Sequence, residues 1–193
     1  MMWVLLQIDL FFQELIWSQR MLQRFPKPSA NFIKPATLDW LNAIAESNAI
    51  LSTILVVINP ALYDAGWEMV KCLRATPEID SHILSRWASI FSGVSVISNC
   101  NTPAHRDGNS RWDWYEILAT LRSYRDCLLE LPGVGISLEY SPGMVVGLLG
   151  NTLEHKVGDF EGDRVCYAYF MRDNVQDWAK VTASNWMNAK YYE

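Results

Sequence analysis

The stretch SGVSVISNCNTPAHRDG, residues 92–108, marks the point at which the character of the chain changes. Its first half alternates β-branched with small polar residues, which is typical of a strand with one buried face. Its second half holds a His-x-Asp pair, His105 and Asp107. Alternate residues of an extended chain point to the same side, so we expect these two side chains to share a face, with Arg106 opposite. A second imidazole beside them would complete the facial triad of a non-haem iron site.

Downstream of this stretch, short apolar runs alternate with turn signals. Several short strands separated by close turns are typical of an antiparallel sandwich or barrel. Upstream, residues 61–74 and 79–91 show the helical spacing of apolar positions. Helices come first and strands second, so the predicted class is α+β, with the helices backing one sheet. The predicted strands are YEILATL, GISLEY, MVVGLLG and RVCYAYFMR, with turns at Pro132-Gly133 and Ser141-Pro142-Gly143.

The first part of the chain reads as a long apolar helix over residues 3–24, followed by a proline-punctuated linker. Such a helix would expose many aromatic side chains, so we expect it to pack on the domain or on a partner. Thr37 is the predicted cap of the next helix. The apolar run at residues 50–58 fits a strand by its β-branching and a helix by its surroundings.

These patterns predict one N-terminal segment and one domain. Residues 1–35 form the N-terminal helix and linker, and residues 36–193 form a single domain. Within that domain we expect a helical scaffold over 36–91, a β core over 92–178 and a C-terminal tail over 179–193.

Composition limits the class of protein. The chain has 193 residues, half of them hydrophobic, which suits one globular domain with a sizeable core. A net charge of −5 counts mildly against tight nonspecific DNA affinity. Four widely spaced cysteines without a CxxC pair argue against a zinc ribbon or a disulfide framework, and fit a reducing compartment. The apolar N-terminus lacks a basic leader and is interrupted by polar residues, so we expect a soluble intracellular protein without a membrane span.

The second histidine of the predicted iron site is His155. It lies just beyond the MVVGLLG strand, from which it could return to the end of the barrel where Asp107 lies. The alternative is a solvated loop histidine, and by itself His155 would favour that reading. The third histidine of the chain, His82, lies in the helical scaffold and reads as an ordinary surface or core residue.

Arg164 begins a predicted strand and shares one face with Cys166, Ala168 and Phe170. A buried arginine is rare unless its planar guanidinium meets a carboxylate. The small side chains at 166 and 168 would leave room for a bound dicarboxylate. The alternative is a surface ion pair of Arg164 with a neighbouring acidic residue, Glu161 or Asp163.

The region from about residue 91 to 178 resembles the oxygenase domain of the TET/JBP family, particularly its fungal branch. The upstream helices, including NPALYDAGWEMVKCLRA, resemble that branch too. The pieces that carry the resemblance are SGVSVISNCNTPAHRDG, WYEILATL, LPGVGISLEYSPGMVVGLLG, LEHKV and GDRVCYAYFMRDNV.

The resemblance implies a double-stranded β-helix core, of the jelly-roll or cupin-like type, and a set of site residues. His105, Asp107 and His155 would be the Fe(II) ligands, and Arg164 the partner of the distal carboxylate of 2-oxoglutarate, with dioxygen as the other co-substrate. Phe170 falls where animal members carry an aromatic that stacks on a flipped base. Two asparagines complete the set: Asn109 lies near a position that contacts the base, with a loop spacing different by one residue, and Asn99 either lines the co-substrate pocket or bonds the neighbouring backbone.

The function that the resemblance implies is oxidation of the methyl group of 5-methylcytosine in DNA to hydroxymethyl, and onward to formyl and carboxyl, in the nucleus. The cysteine-rich zinc region of animal members is absent, so the surface that holds the substrate must be built differently. Three alternatives stay open: an N6-methyladenine demethylase of the same fold acting on DNA or RNA, a small-molecule hydroxylase, and an inactive module that binds nucleic acid or protein. The sequence leaves the oligomeric state open.

Overall fold

The computed structural model describes residues 13–18, 25–29, 34–108, 110–186 and 190. The five α-helices and ten strands of this part of the chain confirm the α+β class. The helices are α1 Pro35–Ala43, α2 Ala45–Ile58, α3 Pro60–Ala75, α4 Ser81–Leu84 and α5 Asp173–Ala179. The strands are β1 Gln13–Ser18, β2 Lys27–Pro28, β3 Gly93–Ser98, β4 Thr102–His105, β5 Glu116–Arg125, β6 Leu128–Leu131, β7 Ile136–Glu139, β8 Val145–Leu148, β9 His155–Val157 and β10 Glu161–Phe170.

The strands form two antiparallel sheets that enclose the site. The larger sheet has the order β2-β1-β3-β10-β5-β8, and the smaller has the order β4-β9-β6-β7. A cluster of buried residues from β5, β8 and β10 of one sheet and β6 and β9 of the other lies between them. This is the double-stranded β-helix expected from the resemblance. A second cluster joins the other face of the larger sheet to helices α1 to α5.

Side chains of β10 alternate as the sequence predicts. Tyr169 and Met171 point into the cluster shared with the helices. Cys166, Ala168 and Phe170 line the cavity between the sheets. Because side chains alternate along a strand, one face of β10 packs on the helices and the other faces the cavity.

The apolar run at residues 50–58 is helical and belongs to α2. Leu51 and Leu55 are buried one turn apart, facing the core shared with α3 and the larger sheet. Tertiary packing of a helical face overrides the strand preference of the β-branched residues here. Among the described residues no single helix is both long and apolar enough to cross a membrane, although α1 and α2 would pass that test together despite a 59° bend between them.

Two helix predictions in the scaffold are wrong in their bounds. The first helix begins at Pro35, ahead of Thr37, and the residue before it caps nothing with its side chain. The predicted helix over residues 79–91 is helical only at Ser81–Leu84. Beyond it, the Trp87 indole donates to the carbonyl of Phe91, and the Phe91 amide donates to Ser89 Oγ, so side chains satisfy backbone groups that a helix would use.

The predicted N-terminal helix is wrong where the structure describes it. Gln13–Ser18 is a strand that pairs antiparallel with β3 and places Leu15 opposite Val94. The rest of residues 3–24 lies outside the described residues. Pairing with the free edge of β3 satisfies a row of backbone groups, and this outweighs the helical spacing of the side chains.

One buried hydrogen bond ties the helical layer to the sheet. The Tyr169 hydroxyl donates to Asn48 Oδ1 at 2.6 Å, and both side chains are buried. We expect Tyr169→Phe to lower the free energy of unfolding by about 1–2 kcal/mol, because the buried amide oxygen loses its donor. Urea denaturation followed by circular dichroism measures this. Thr53→Ala is the control, since it removes an exposed bond within α2 and should cost less than about 0.5 kcal/mol. Equal losses in the two variants would contradict the prediction.

Candidate metal centre

Two histidines and an aspartate converge at one end of the β-helix. The possible ligand atoms of His105, Asp107 and His155 all lie within 4.8 Å of one another. The carboxylate of Asp107 divides its oxygens between the imidazoles, with Oδ1 3.5 Å from His105 Nε2 and Oδ2 3.4 Å from His155 Nε2. The three side chains therefore present one carboxylate and two imidazoles to a common point, which is the donor set of a non-haem iron site.

Strand pairing brings the two histidines together. His105 is the last residue of β4 and His155 the first of β9, and the two are paired across the smaller sheet. Their ring centroids lie 4.3 Å apart. Asp107 follows just beyond β4, where its amide donates to the carbonyl of Gly150 at 3.0 Å. Asn151 Nδ2 donates to the carbonyl of Asp107 at 2.9 Å, so the loop before His155 also holds the aspartate.

Backbone carbonyls select the tautomer of each histidine. His105 Nδ1 lies 2.8 Å from the carbonyl of Pro103, and His155 Nδ1 lies 3.0 Å from the carbonyl of Leu153. A carbonyl oxygen only accepts, so each Nδ1 carries a hydrogen, and Nε2 is the ring nitrogen that faces Asp107. Metal-binding histidines are commonly oriented by such a bond on the second ring nitrogen. The donor set thus fits a divalent iron in the orientation of its rings as well as in its residue types.

A cavity of about 240 Å³ opens beside the triad and lies between the two sheets. Polar groups lie among mostly apolar walls, which is the usual construction of a small-molecule site. The residues that line it are Ser95, Ile97, Thr102, His105, Asp107, Gly108, Glu116, Leu118, Leu129, Tyr140, His155, Val157, Arg164, Cys166, Ala168, Phe170 and Arg172.

Arg164 is buried in the wall of this cavity, at 1% exposure. Its guanidinium carbon lies 5.2 Å from the Tyr140 ring, 5.6 Å from the Phe160 ring and 5.9 Å from the Tyr124 ring. These faces partly offset the cost of burying the cation. Its Nε and Nη1 are buried and have no hydrogen-bond partner in the part of the chain that the structure describes. Buried donors of this kind need an acceptor, and a carboxylate is the partner that a buried guanidinium commonly meets.

The surface alternative for Arg164 is excluded. Asp163 faces Arg122, with 3.8 Å between its Oδ2 and Nη1 of that arginine. Glu161 pairs with Arg125. Both acidic neighbours therefore have other cations as partners.

Of the remaining predicted site residues, one lines the cavity, one lies outside its wall, and one is not among the described residues. Phe170 lines the cavity, with the guanidinium carbon of Arg172 4.9 Å from its ring centroid. Asn99 is absent from the cavity wall. Its side chain bonds Arg164 N and Asp163, which matches the second of its two predicted roles. Asn109 lies outside the described residues.

Glu116 is a cavity residue that the sequence prediction missed. It is buried at the start of β5, beside the triad. Burial, and then the negative charge of Asp107 and a hydrogen bond to it, raise the pKa of Glu116 well above its usual range. Gly150 lies against both carboxyls, and a Cβ there would approach Glu116 Oε2 to 2.6 Å and come closer still to Asp107 Oδ2. No local signal distinguishes Glu116 in the sequence, because its carboxyl group meets Asp107 only in the folded protein.

Comparison with known proteins decides the family. The Tet_JBP profile, described as the oxygenase domain of the 2OGFeDO superfamily, matches residues 26–173. The chain belongs to the TET/JBP family. Iron, 2-oxoglutarate and dioxygen are therefore the cofactor and co-substrates expected at this site, and the gathered triad agrees with that assignment.

A solved structure shares the fold of this family member. It is described as NgTET1 in complex with 5mC DNA, and it aligns with a TM-score of 0.61 at 15% sequence identity. The alignment covers 86% of this chain and 61% of that chain. The present chain therefore spans less than two thirds of the length of that relative. Among curated proteins, none matches the chain.

Removal of the buried histidine tests the metal site directly. We expect His155→Ala to weaken Mn(II) binding at least about 100-fold, because loss of a ligand costs more than the 10–100-fold typical of a residue that only orients one. Electron paramagnetic resonance of the free Mn(II) measures the affinity. His82→Ala is the matched control, since that histidine is exposed on α4 and its ring contacts Arg86, in the turn after the helix. Unchanged Mn(II) binding in His155→Ala would remove this residue from the ligand set.

Proposed function

We propose that this protein oxidises the methyl group of 5-methylcytosine in DNA, first to 5-hydroxymethylcytosine and then to the formyl and carboxyl forms. The observation that carries the proposal is the set of residues that line one cavity. Its wall holds the His-Asp-His triad, a buried arginine with unpaired donors, and an aromatic ring. The solved relative described with 5mC DNA supports the choice of substrate class.

Each residue of the triad has a ligand role in the proposal. His105 and His155 bind Fe(II) through Nε2, and Asp107 binds it through a carboxylate oxygen. When bound, the iron and its co-substrates supply oxidising power: 2-oxoglutarate is decarboxylated to succinate, and one oxygen atom enters a methyl C–H bond. The backbone carbonyls behind the imidazoles keep both rings in the tautomer that can bind the metal.

Arg164 binds the distal carboxylate of 2-oxoglutarate. The guanidinium would donate to the distal carboxylate, which would give a buried unsatisfied donor a charge-assisted bond. The three aromatic rings around the guanidinium limit its movement. The other end of the dicarboxylate would then be left to reach the triad.

Phe170 stacks on the substrate base. A methyl group inside a stacked duplex cannot reach a metal between two sheets, so the nucleotide must rotate out of the helix, at a cost of a few kcal/mol. Stacking on an aromatic face returns about 1–3 kcal/mol per base. Asn109 is proposed to contact the same base. Methylated DNA as substrate also places the protein in the nucleus in this proposal.

Nucleoside mass spectrometry tests the proposed reaction. The iron-loaded protein is incubated with 2-oxoglutarate and duplexes that carry either 5-methylcytosine or N6-methyladenine at one position in the same sequence. We expect hydroxymethylcytosine to appear with succinate, and neither product to form with His155→Ala. Formaldehyde release from the methyladenine duplex without hydroxymethylcytosine would replace the proposal with an N6-methyladenine demethylase. Absence of succinate with every substrate would indicate the inactive module.

A binding measurement tests the role of Arg164. We expect Arg164→Met to weaken 2-oxoglutarate binding to the Mn(II)-loaded protein at least about 30-fold, because truncating one partner of a buried charged pair costs roughly 2–5 kcal/mol. Isothermal titration calorimetry measures the dissociation constant, and Mn(II) affinity is measured in parallel. Arg125→Met is the matched control, since that arginine also lies on β5 but is exposed and pairs with Glu161. A similar loss in both variants would show that Arg164 does not bind the dicarboxylate.

A further inference from the structure

The backbone around Arg164 departs from regular strand geometry on both sides. Asn99, just after β3, has φ of 50°, and Arg122, opposite Arg164 on β5, has φ of 85°. Gly162, two residues before Arg164, has φ of 110°. Positive φ is uncommon for residues other than glycine, and asparagine adopts it more readily than most. Such conformations concentrate at functional sites, where the surrounding structure must hold them.

Asn99 replaces one main-chain hydrogen bond of the sheet with a side-chain bond. In a regular antiparallel pair of this type, two opposite residues exchange two backbone N–H···O bonds. Here Asn99 N donates to the carbonyl of Arg164 at 2.9 Å. The return bond runs from Arg164 N to Asn99 Oδ1 at 2.7 Å. The side-chain carbonyl thus takes the place that a main-chain carbonyl would occupy if β3 continued.

The other half of the Asn99 amide fixes its orientation. Asn99 Nδ2 donates to Asp163 Oδ1 at 3.0 Å. A backbone N–H must meet an acceptor and a carboxylate must meet a donor, so only one orientation of the amide satisfies both neighbours. Asp163 is the residue next to Arg164 on β10. The Asn99 amide therefore bonds two consecutive residues of β10, Asp163 through its side chain and Arg164 through its backbone N–H.

We propose that Asn99 is a positioning residue for Arg164, and that it sets the affinity for 2-oxoglutarate without touching it. This inference rests on the proposed role of Arg164. Both backbone groups of Arg164 bond Asn99, so this residue helps to hold the backbone from which the arginine side chain begins. The guanidinium then has to reach a cavity bounded by three aromatic rings. A binding group of this kind must be held within about 0.5 Å of its productive position.

Three variants separate the hydrogen bond from the backbone conformation. Asn99→Gly keeps the left-handed conformation and removes the acceptor. Asn99→Asp keeps an acceptor but places two carboxylates side by side. The double exchange Asn99→Asp with Asp163→Asn restores both bonds, with the donor and acceptor of the second bond reversed. Asn101→Gly is the matched control, because Asn101 is exposed and its amide bonds Asp159 instead.

The readout is the dissociation constant of 2-oxoglutarate for the Mn(II)-loaded protein, with Mn(II) affinity measured separately. We expect Asn99→Gly to weaken 2-oxoglutarate binding about tenfold, because the Arg164 amide loses the acceptor that orients the backbone from which the guanidinium extends. We expect Mn(II) affinity to stay within about twofold, and Asn101→Gly to match the unmodified protein. The double exchange should restore 2-oxoglutarate binding to within about twofold, while Asn99→Asp alone should not.

The outcomes that overturn the inference are specific. The inference is overturned if Asn99→Gly binds 2-oxoglutarate as the unmodified protein does. It is also overturned if Asn99→Gly loses Mn(II) affinity as much as 2-oxoglutarate affinity, or if Asn101→Gly weakens 2-oxoglutarate binding as much as Asn99→Gly. If Asn99→Gly does not fold, Asn99→Asp and the double exchange decide: recovery in the exchange supports the inference, and a continued loss overturns it. Arg164→Met in the same assay separates the two proposals. If it binds 2-oxoglutarate normally, the role of Arg164 fails; if it alone loses binding, only the role of Asn99 fails.

Discussion

The pairing of β4 with β9 is the interaction on which the site depends. It sets His105 opposite His155 and holds their rings 4.3 Å apart. Because β4 ends at His105, the chain is free to turn, and Asp107 is then held by backbone and amide bonds from the loop that leads into β9. The ligands thus come from two chain segments that are bonded to each other, so the ligand set forms with the smaller sheet itself.

The larger sheet supplies the second half of the site and connects it to the helices. On β10, Arg164 and Phe170 face the cavity, while Tyr169 on the opposite face bonds Asn48 of α2. A buried helical layer therefore supports the strand that holds both the proposed dicarboxylate-binding arginine and the proposed base-stacking ring. Residues of a binding site keep their geometry best when they lie on elements packed in this way. The helices contribute to function through the position of β10 rather than through ligands of their own.

The site could be predicted because the residue pattern and the family resemblance point to the same side chains. His105, Asp107, His155 and Arg164 each have an ordinary alternative in the sequence, and the resemblance to the TET/JBP family is what joins them; the structure places all four around one cavity. The period of two along β10 predicts that Arg164, Cys166 and Phe170 share a face, and they do. The N-terminal strand was not predictable, because the edge of β3 that attracts it is a tertiary feature. Glu116 was missed for a similar reason: only the fold brings its carboxyl beside Asp107.

Gly150 limits the space beside the proposed ligand Asp107. A Cβ at this position would meet carboxyl oxygens of both Asp107 and Glu116, while the Gly150 carbonyl accepts the bond from the Asp107 amide. An alanine here would therefore force one or both carboxyl side chains to shift. A residue without a side chain thus helps to orient a proposed ligand, and surveys of related sequences that check only the histidines and the aspartate would overlook it.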